Sequence, residues 1–376
     1  SPNQAGQSSI MCIHLFLRQR PSFFETSLFV ILFLCLLTLS APTAAQTNDT
    51  PNVMPESAQI NPAELLAQMA QASNTLNYES ALILFRPGQE PVPYLWKHGV
   101  VSNSDSSTVA VELLSELNGP NAKIVRFDNQ VSYFNPDMPA HTLQQSHIHG
   151  PFAHNLIRDP AQIKTAYEVI LVGKSRVAGN DAWQLRVVSR DSSRYNYTLW
   201  IDTESLLPLK LNTVNLKGEL IEQVQATNLV ITDSPNASFT QLMNSDMPDI
   251  MHINPPKAFE LNWNISRLPI GMVKVKRDIN RLSITGDVVE YALLSDGMVD
   301  VSVYLQKAVV AQAEDVLFVK DATTFLSRVN DGLQVSIVGK LPPATAQRIM
   351  QMIESVPAQN VSATSATESK RDPNTP

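Results

Sequence analysis

Four histidines crowd one short stretch, His141, His147, His149 and His154, and they are the residues best able to do chemistry. Imidazoles this close together could converge on a metal. Their spacing matches no zinc pattern, however, and no carboxylate falls where a ligand set would want one, so a solvated polar loop is the favoured reading and no metal site is assigned. Gly173-Lys174-Ser175 imitates the end of a phosphate loop, but Glu168 stands at the required upstream glycine and the segment joins strands without opening a helix. Ser175 is no nucleophile elbow either, since Val177 replaces the second glycine of that motif. Asp191, Asp202 and Glu204 sit at turns, where acidic side chains are ordinarily structural. With no paired acid and base and no glycine-rich dinucleotide fingerprint, the sequence supports neither an enzyme nor a cofactor.

Aromatic side chains are what remains. Tyr94, Trp96, Tyr133, Phe134, Trp183, Tyr195, Tyr197 and Trp200 fall on predicted strands, and Phe152 lies in the irregular stretch beyond. Alternation puts Tyr195, Tyr197 and Leu199 on one sheet face and Asn196, Thr198 and Trp200 on the other. Filling a core is the plain role for most of them. Lining a groove for an acyl chain or an extended peptide is the sharper one, with Trp96, Tyr133, Phe134, Phe152, Tyr195, Tyr197 and Trp200 as candidates.

The elements that carry these residues are mostly strands. Residues 167–224 read as a meander with turns at Arg190-Asp191-Ser192-Ser193, Asp202-Thr203-Glu204 and Lys217-Gly218, and a further break expected at Gly173. Upstream, a helix opens at Asn61-Pro62-Ala63-Glu64 with Leu65, Met69, Ala72 and Leu76 near one face. Strands are expected at 78–86, 92–101, 108–117, 123–127 and 130–134, the last two joined by Asp128-Asn129. From 135 to 159 the pattern dissolves. The fold class is therefore α+β: a strongly curved antiparallel half-barrel with helical pieces on its concave side, able to leave an apolar cavity. Residues 230–257 read as a proline-rich linker. A smaller α+β domain follows over 258–356, with a Ser295-Asp296-Gly297 hairpin turn and a helix starting at Pro342-Pro343.

Composition narrows the partners. The chain of 376 residues is 44% hydrophobic and 17% charged, with a net charge of -7 and no basic block, which disfavours nucleic acid. Arg18 and Arg20, an apolar run over 28–39 and a small-residue exit ending at Ala45 form a signal peptide over 11–45, with Met11 as initiator. A polar lead-in (46–60) follows, and residues 357–376 read as a disordered tail. Cys12 and Cys35 both lie in the leader, so the mature product would have no thiol. A soluble periplasmic protein is expected, with free secretion as the alternative and homo-oligomerisation left open.

Ordered blocks along the chain resemble a family. They include Gln130-Val131-Ser132-Tyr133-Phe134-Asn135-Pro136, Val172-Gly173-Lys174-Ser175-Arg176-Val177-Ala178-Gly179, Arg194-Tyr195-Asn196-Tyr197-Thr198-Leu199-Trp200-Ile201-Asp202, Leu268-Pro269-Ile270-Gly271-Met272, Ser295-Asp296-Gly297 and Ile337-Val338-Gly339-Lys340-Leu341-Pro342-Pro343. In order and spacing these are similar to the periplasmic sigma-E regulators RseB and MucB. The resemblance implies a first domain (61–229) similar to the lipoprotein carriers LolA and LolB, and a family-type second domain. It implies binding to the periplasmic region of the anti-sigma factor RseA or MucA, protection of that factor from the site-1 protease DegS, and release by lipopolysaccharide or a related lipid. The alternative it leaves is a LolA/LolB-like lipoprotein or lipid carrier. One departure is Asn264-Ile265-Ser266-Arg267 before Leu268, where the family has an aromatic residue directly ahead of Leu-Pro.

Overall fold

Alternation of buried and exposed side chains organises the chain into two large antiparallel sheets and a two-stranded one, seen in a computed structural model that describes residues 60–102, 106–251, 263–281, 288–308, 314–330 and 332–355. The expected leader, nearly all of the lead-in and the tail, with both cysteines, lie outside the described residues. No helix among the described residues is long and apolar enough to cross a membrane.

Helix α1 (Pro62–Thr75) buries Leu65, Met69 and Ala72 of the predicted stripe with Leu66 beside them, and Leu76 falls just past its end. Six strands follow: β1 (Asn77–Phe85), β2 (Val92–Ser102), β3 (Thr108–Glu116), β4 (Lys123–Phe127), β5 (Gln130–Asn135) and β6 (Met138–Gln144). A short helix, α2 (His154–Arg158), precedes β7 (Tyr167–Val177), β8 (Asn180–Ser189), β9 (Asn196–Asp202), β10 (Pro208–Val214) and β11 (Leu220–Thr232). β11 returns to pair with β1, giving one eleven-stranded sheet in the order β6-β5-β4-β3-β2-β1-β11-β10-β9-β8-β7. A twisted sheet this wide curls, and curling lets residues as far apart in it as Val131 and Leu185 share one core with both helices. The sheet stays open, because β6 and β7 are its two edges.

The outer side is partly covered as well. Within the stretch 230–257 that reads as a linker, residues 230–232 end β11 and 235–251 pack back on the sheet. Helix α3 (Ser238–Met243) buries Phe239 against Gly99, where an added Cβ would lie 2.7 Å from the Phe239 ring. Thr142 donates to the Pro248 carbonyl (2.6 Å) and accepts the Met251 N–H on its own carbonyl (2.8 Å). The structure corrects three other expectations. The stretch 135–159 contains β6, an edge strand where Pro139 is tolerated because no ladder partner needs its N–H. Gly173 does not end a strand: it sits at a register shift inside β7, and the turn comes at Ala178-Gly179. A strand over Thr323–Asn330 lies where the sequence reading of the smaller domain names none.

In the smaller unit, β12 (Trp263–Ile265), β13 (Val273–Arg281), β14 (Val288–Ser295), β15 (Asp300–Lys307), β16 (Val316–Lys320), β17 (Thr323–Asn330) and β18 (Leu333–Gly339) precede helix α4 (Pro343–Gln351) and β19 (Ile353–Ser355). β13 to β18 form a six-stranded sheet, and β12 pairs with β19. Helix α4 lies against β17 and β18 over a core that includes Leu294, Val301, Leu326, Ile337 and Ile349.

The two sheets meet around Arg194, whose side chain has no solvent exposure. Its Nε donates to Asp296 Oδ2 (2.7 Å), Nη1 to Ser193 Oγ (2.6 Å) and Asp191 Oδ1 (3.3 Å), and Nη2 to the Ile270 carbonyl (2.7 Å). Asp296, equally buried, also accepts the Tyr167 hydroxyl (3.3 Å) and the N–H groups of Met298 and Val299 (2.8 Å each). Asp191 closes the ring by accepting the Ile270 N–H (3.0 Å). Burial pushes the Asp191 carboxyl up, but Ser193, the Ile270 N–H and Arg194 together outweigh it and bring it to about 2. Tyr195 and Thr345 add bonds to the Leu341 and Ser193 carbonyls (3.2 and 2.6 Å).

Removing one member of a buried ion pair strands the other charge, at a cost of about 3–5 kcal/mol. Arg194→Met should therefore lower unfolding stability by about that amount in urea titrations, while Arg194→Met with Asp296→Asn, which removes the stranded charge but keeps an acceptor for the Met298 and Val299 N–H groups, should recover part of the loss. A single-variant loss below about 1 kcal/mol would show that the pair does not hold the sheets together.

Candidate functional site

Antiparallel register decides what the concave face presents. On that face Ser80, Trp96, Leu114, Ile124 and Tyr133 stand opposite one another in a row across β1 to β5, and Tyr78, His98, Glu112, Arg126 and Val131 form the next. The loop 146–153 and helix α2 lie over these rows, burying Ile148, Phe152, Leu156 and Ile157.

The second row holds the charges. Glu112 accepts Arg126 Nε (2.8 Å) on one carboxylate oxygen and Arg158 on the other, and Arg158 also donates to the Ser73 carbonyl and to Asn74 (2.8 Å). One carboxylate thus joins β3, β4, helix α2 and the end of helix α1. Tyr78 stacks on His98 at 5.1 Å, and the His98 Nδ1–H donates to the Leu76 carbonyl (2.7 Å). Burial first, then the Arg158 and Arg126 cations, hold His98 at about 3, so it is neutral at physiological pH.

Beside this cluster the face is not filled. A groove of about 280 Å³ runs over Leu84, Tyr94, Leu114, Ile124, Tyr133 and Phe134. Its rim carries Arg86, Lys123 and Lys340 against Glu116 and Glu222, and Lys340 comes from the smaller sheet's side of the chain. Arg86 bonds Glu222 (2.8 Å) and reaches Asp321 at 3.7 Å, so this rim also joins the two sheets. A second, smaller cavity of about 20 Å³ lies under the loop, among Trp96, Leu114, Phe152, Ile157 and Arg158. Gly150 and Pro151 line both. Burial pushes the Tyr133 hydroxyl up to about 12, so it stays a neutral donor, here to Gln145 (2.8 Å).

The sequence candidates separate cleanly by position. Tyr133 and Phe134 line the groove, and Trp96 and Phe152 line the adjoining cavity, with ring centroids 6.0 Å apart. Tyr195 is at the junction of the sheets. Tyr197 is in the core against Tyr167, and Trp200 is on the other sheet face beneath Lys210. Leu84, Ile124, Arg86 and Lys340 carried no sequence signal as groove residues, and Arg86 and Lys340 are brought to the rim by Glu222, far from both in the chain. The histidines stack instead of converging on a point: His141 on Tyr133 (5.3 Å) and His147 on His154 (3.8 Å). Among the described residues no group of three His, Cys, Asp or Glu side chains is placed to hold a metal. Asp202 accepts the Ser205 N–H and hydroxyl (2.7 Å each), a turn-forming role.

Comparison with known proteins matches both parts of the chain. Residues 61–251 fit the family model for the MucB/RseB N-terminal domain, and residues 257–354 fit the MucB/RseB C-terminal domain. The sigma-E factor regulatory protein RseB of Escherichia coli K12 is 30% identical over 297 residues, covering 78% of this chain and 91% of that protein. The sigma factor AlgU regulatory protein MucB of Pseudomonas aeruginosa is 28% identical over 303 residues, covering 79% and 92%. A crystal structure of MucB in complex with MucA(peri) is similar at a TM-score of 0.62 and 27% identity, over 79% of this chain and 100% of that one. The Pseudomonas aeruginosa MucA/MucB complex is similar at a TM-score of 0.63 and 26% identity, over 79% and 99%.

Filling the groove should abolish its capacity while leaving the fold intact. Ile124→Trp is expected to weaken uptake of an apolar fluorescent probe such as N-phenyl-1-naphthylamine by at least about tenfold, with an unchanged thermal midpoint. Equal uptake by the variant would place the accessible apolar surface elsewhere.

Proposed function

The chain belongs to the MucB/RseB family, and from that premise we propose that it is a periplasmic negative regulator of a sigma-E-type envelope-stress response. It binds the periplasmic segment of a RseA- or MucA-type anti-sigma factor, shields that segment from site-1 proteolysis by DegS, and lets go when a lipid signal arrives. The observation that carries this reading is that both family domains match in order, over 61–251 and 257–354, and so span both sheets. Of its relatives, RseB is a sigma-E factor regulatory protein, and MucB has been crystallised with MucA(peri).

The groove suits such a partner physically. At about 280 Å³ it lies at the small end of ligand pockets, room for one or two apolar anchors. An extended segment would bury those anchors over Leu114, Ile124 and Tyr133 and set its charged groups against Lys123, Glu116 and Lys340. Because the rim is drawn from both sheets, a bound segment bridges them, and its cleavage site is held away from a protease. An acyl chain competes for the same apolar floor, which supplies a route for lipid to displace the peptide.

Isothermal titration of the protein with the periplasmic segment of its cognate anti-sigma factor tests this. Saturable binding that weakens by tenfold or more when lipid A is added is the expected result. Absence of binding would overturn the assigned partner, and binding indifferent to lipid A would overturn the release step.

A further inference from the structure

One loop walls both concave cavities. Gly150 and Pro151 line the groove and the smaller cavity alike, His149 faces the first, and His154 faces the second. Beyond the loop, helix α2 is fastened by Arg158 to Glu112, to Asn74 and to the Ser73 carbonyl. The loop itself has apolar anchors at Ile148 and Phe152, a backbone bond from Ile157 to Ala153 at its end, and a ring contact with α2. That contact is a face-to-face pair of imidazoles. His147 and His154 have ring centroids 3.8 Å apart with planes at 20°, and His149 meets His147 edge-on at 5.0 Å.

Several groups face this pair. Ser146 Oγ lies 3.5 Å from His147 Nδ1. Arg126 on β4 acts on both rings as a like charge, with Asp300 at the start of β15 opposing it at His147 and Asp159 opposing it at His154. Arg158 and Glu112 share the small cavity with His154, and Glu112 is already committed to Arg126 and Arg158. No carboxylate contacts either ring within salt-bridge distance among the described residues. Two imidazolium rings at stacking distance repel, so the closed loop requires at least one of them neutral.

We propose that the loop 146–153 is a lid opened by acid: protonation of the His147–His154 stack parts the rings and lifts the loop while Arg158 keeps helix α2 in place. With Gly150 and Pro151 withdrawn, the two cavities become one continuous groove running from Tyr133 to Trp96. This goes beyond binding to a partner, because it concerns access to the concave face whatever occupies it.

The sign follows from linkage. Both imidazoles titrate below their ordinary value when the lid is closed, through burial first and then their positive or titratable neighbours, with His154 at about 3. A base that binds its proton more weakly in the closed state favours closure above its ordinary value of about 6.5, and that preference fades as pH falls below it. Each imidazole that remains neutral in the closed lid shifts the opening equilibrium by about tenfold between pH 7.5 and 5.5. His98 is also held neutral, but it sits on β2 stacked on Tyr78 with its Nδ1–H on the Leu76 carbonyl, so it is no part of the attachment between the loop and α2.

The test is localised hydrogen exchange on the whole protein at pH 7.5 and 5.5, corrected for intrinsic exchange, alongside uptake of N-phenyl-1-naphthylamine. Amides of 147–153 should exchange about tenfold faster or more at pH 5.5, with β9 unchanged and probe uptake raised. His147→Phe with His154→Phe keeps the stack apolar and should abolish both changes, and His149→Phe should retain them. Unchanged exchange in the wild-type lid would overturn the proposal, as would an acid response that survives in the double variant. The wild-type exchange decides even if that variant fails to fold. None of these outcomes depends on an anti-sigma factor, so the regulator reading and the lid stand or fall separately.

Discussion

A guanidinium with no access to water is tolerable only when its donors are met, and that requirement at Arg194 ties the molecule together. Its partners come from both sheets: Asp191 and Ser193 from the turn before β9, and Asp296 and the Ile270 carbonyl from the smaller unit. Asp296 is in turn satisfied by the N–H groups of its own hairpin and by the Tyr167 hydroxyl. Because these bonds are short-ranged and directional, the sheets can adopt one relative placement at this junction. Gly271 and Gly297, both at positive φ, let the smaller unit approach Ala166 and Gln162 so closely that an added Cβ would lie at 2.9 Å.

That fixed junction is what gives the rim of the groove its character. Lys340 stands 3.8 Å from Glu222, and Arg86 lies between Glu222 and Asp321, so the groove's wall is shared between the two units. These rim contacts are partly exposed and individually weak, unlike the buried Arg194 pair. A partner that engages the rim therefore trades modest ion pairs without disturbing the strong one. The concave face shows the same contrast: Glu112 and its two arginines are fixed, and the loop above them is attached by apolar side chains and stacked histidines.

Much of the fold was legible in the sequence. The strands at 92–101, 123–127 and 130–134 carry clean alternation and a turn pair at Asp128-Asn129, and they appear as β2, β4 and β5. β6 was not legible, because an edge strand with Pro139 and His141 lacks the apolar face that alternation detects. The stretch 230–257 reads as a linker because the packing of its 235–251 part depends on Gly99 and Thr142, far away in the chain. The aromatic candidates split for a similar reason. Alternation separates Tyr197 from Trp200, but that Trp96 and Tyr133 share a face follows only from the pairing of β2 to β5, and which face is concave and where the helices cover it depend on tertiary packing. Arg194 and Asp296 stood in recognisable motifs, yet nothing local indicates that residues so far apart would meet.

The most direct measurement is a hydrogen-exchange footprint of the protein with and without the periplasmic segment of its anti-sigma factor. Binding in the shared groove should protect β4 and β5 around Ile124 and Tyr133 together with the amides near Lys340, and leave β8 and β9 unchanged. Protection confined to one of the two units, or confined to the outer face of the sheet, would contradict a groove that works by bridging them.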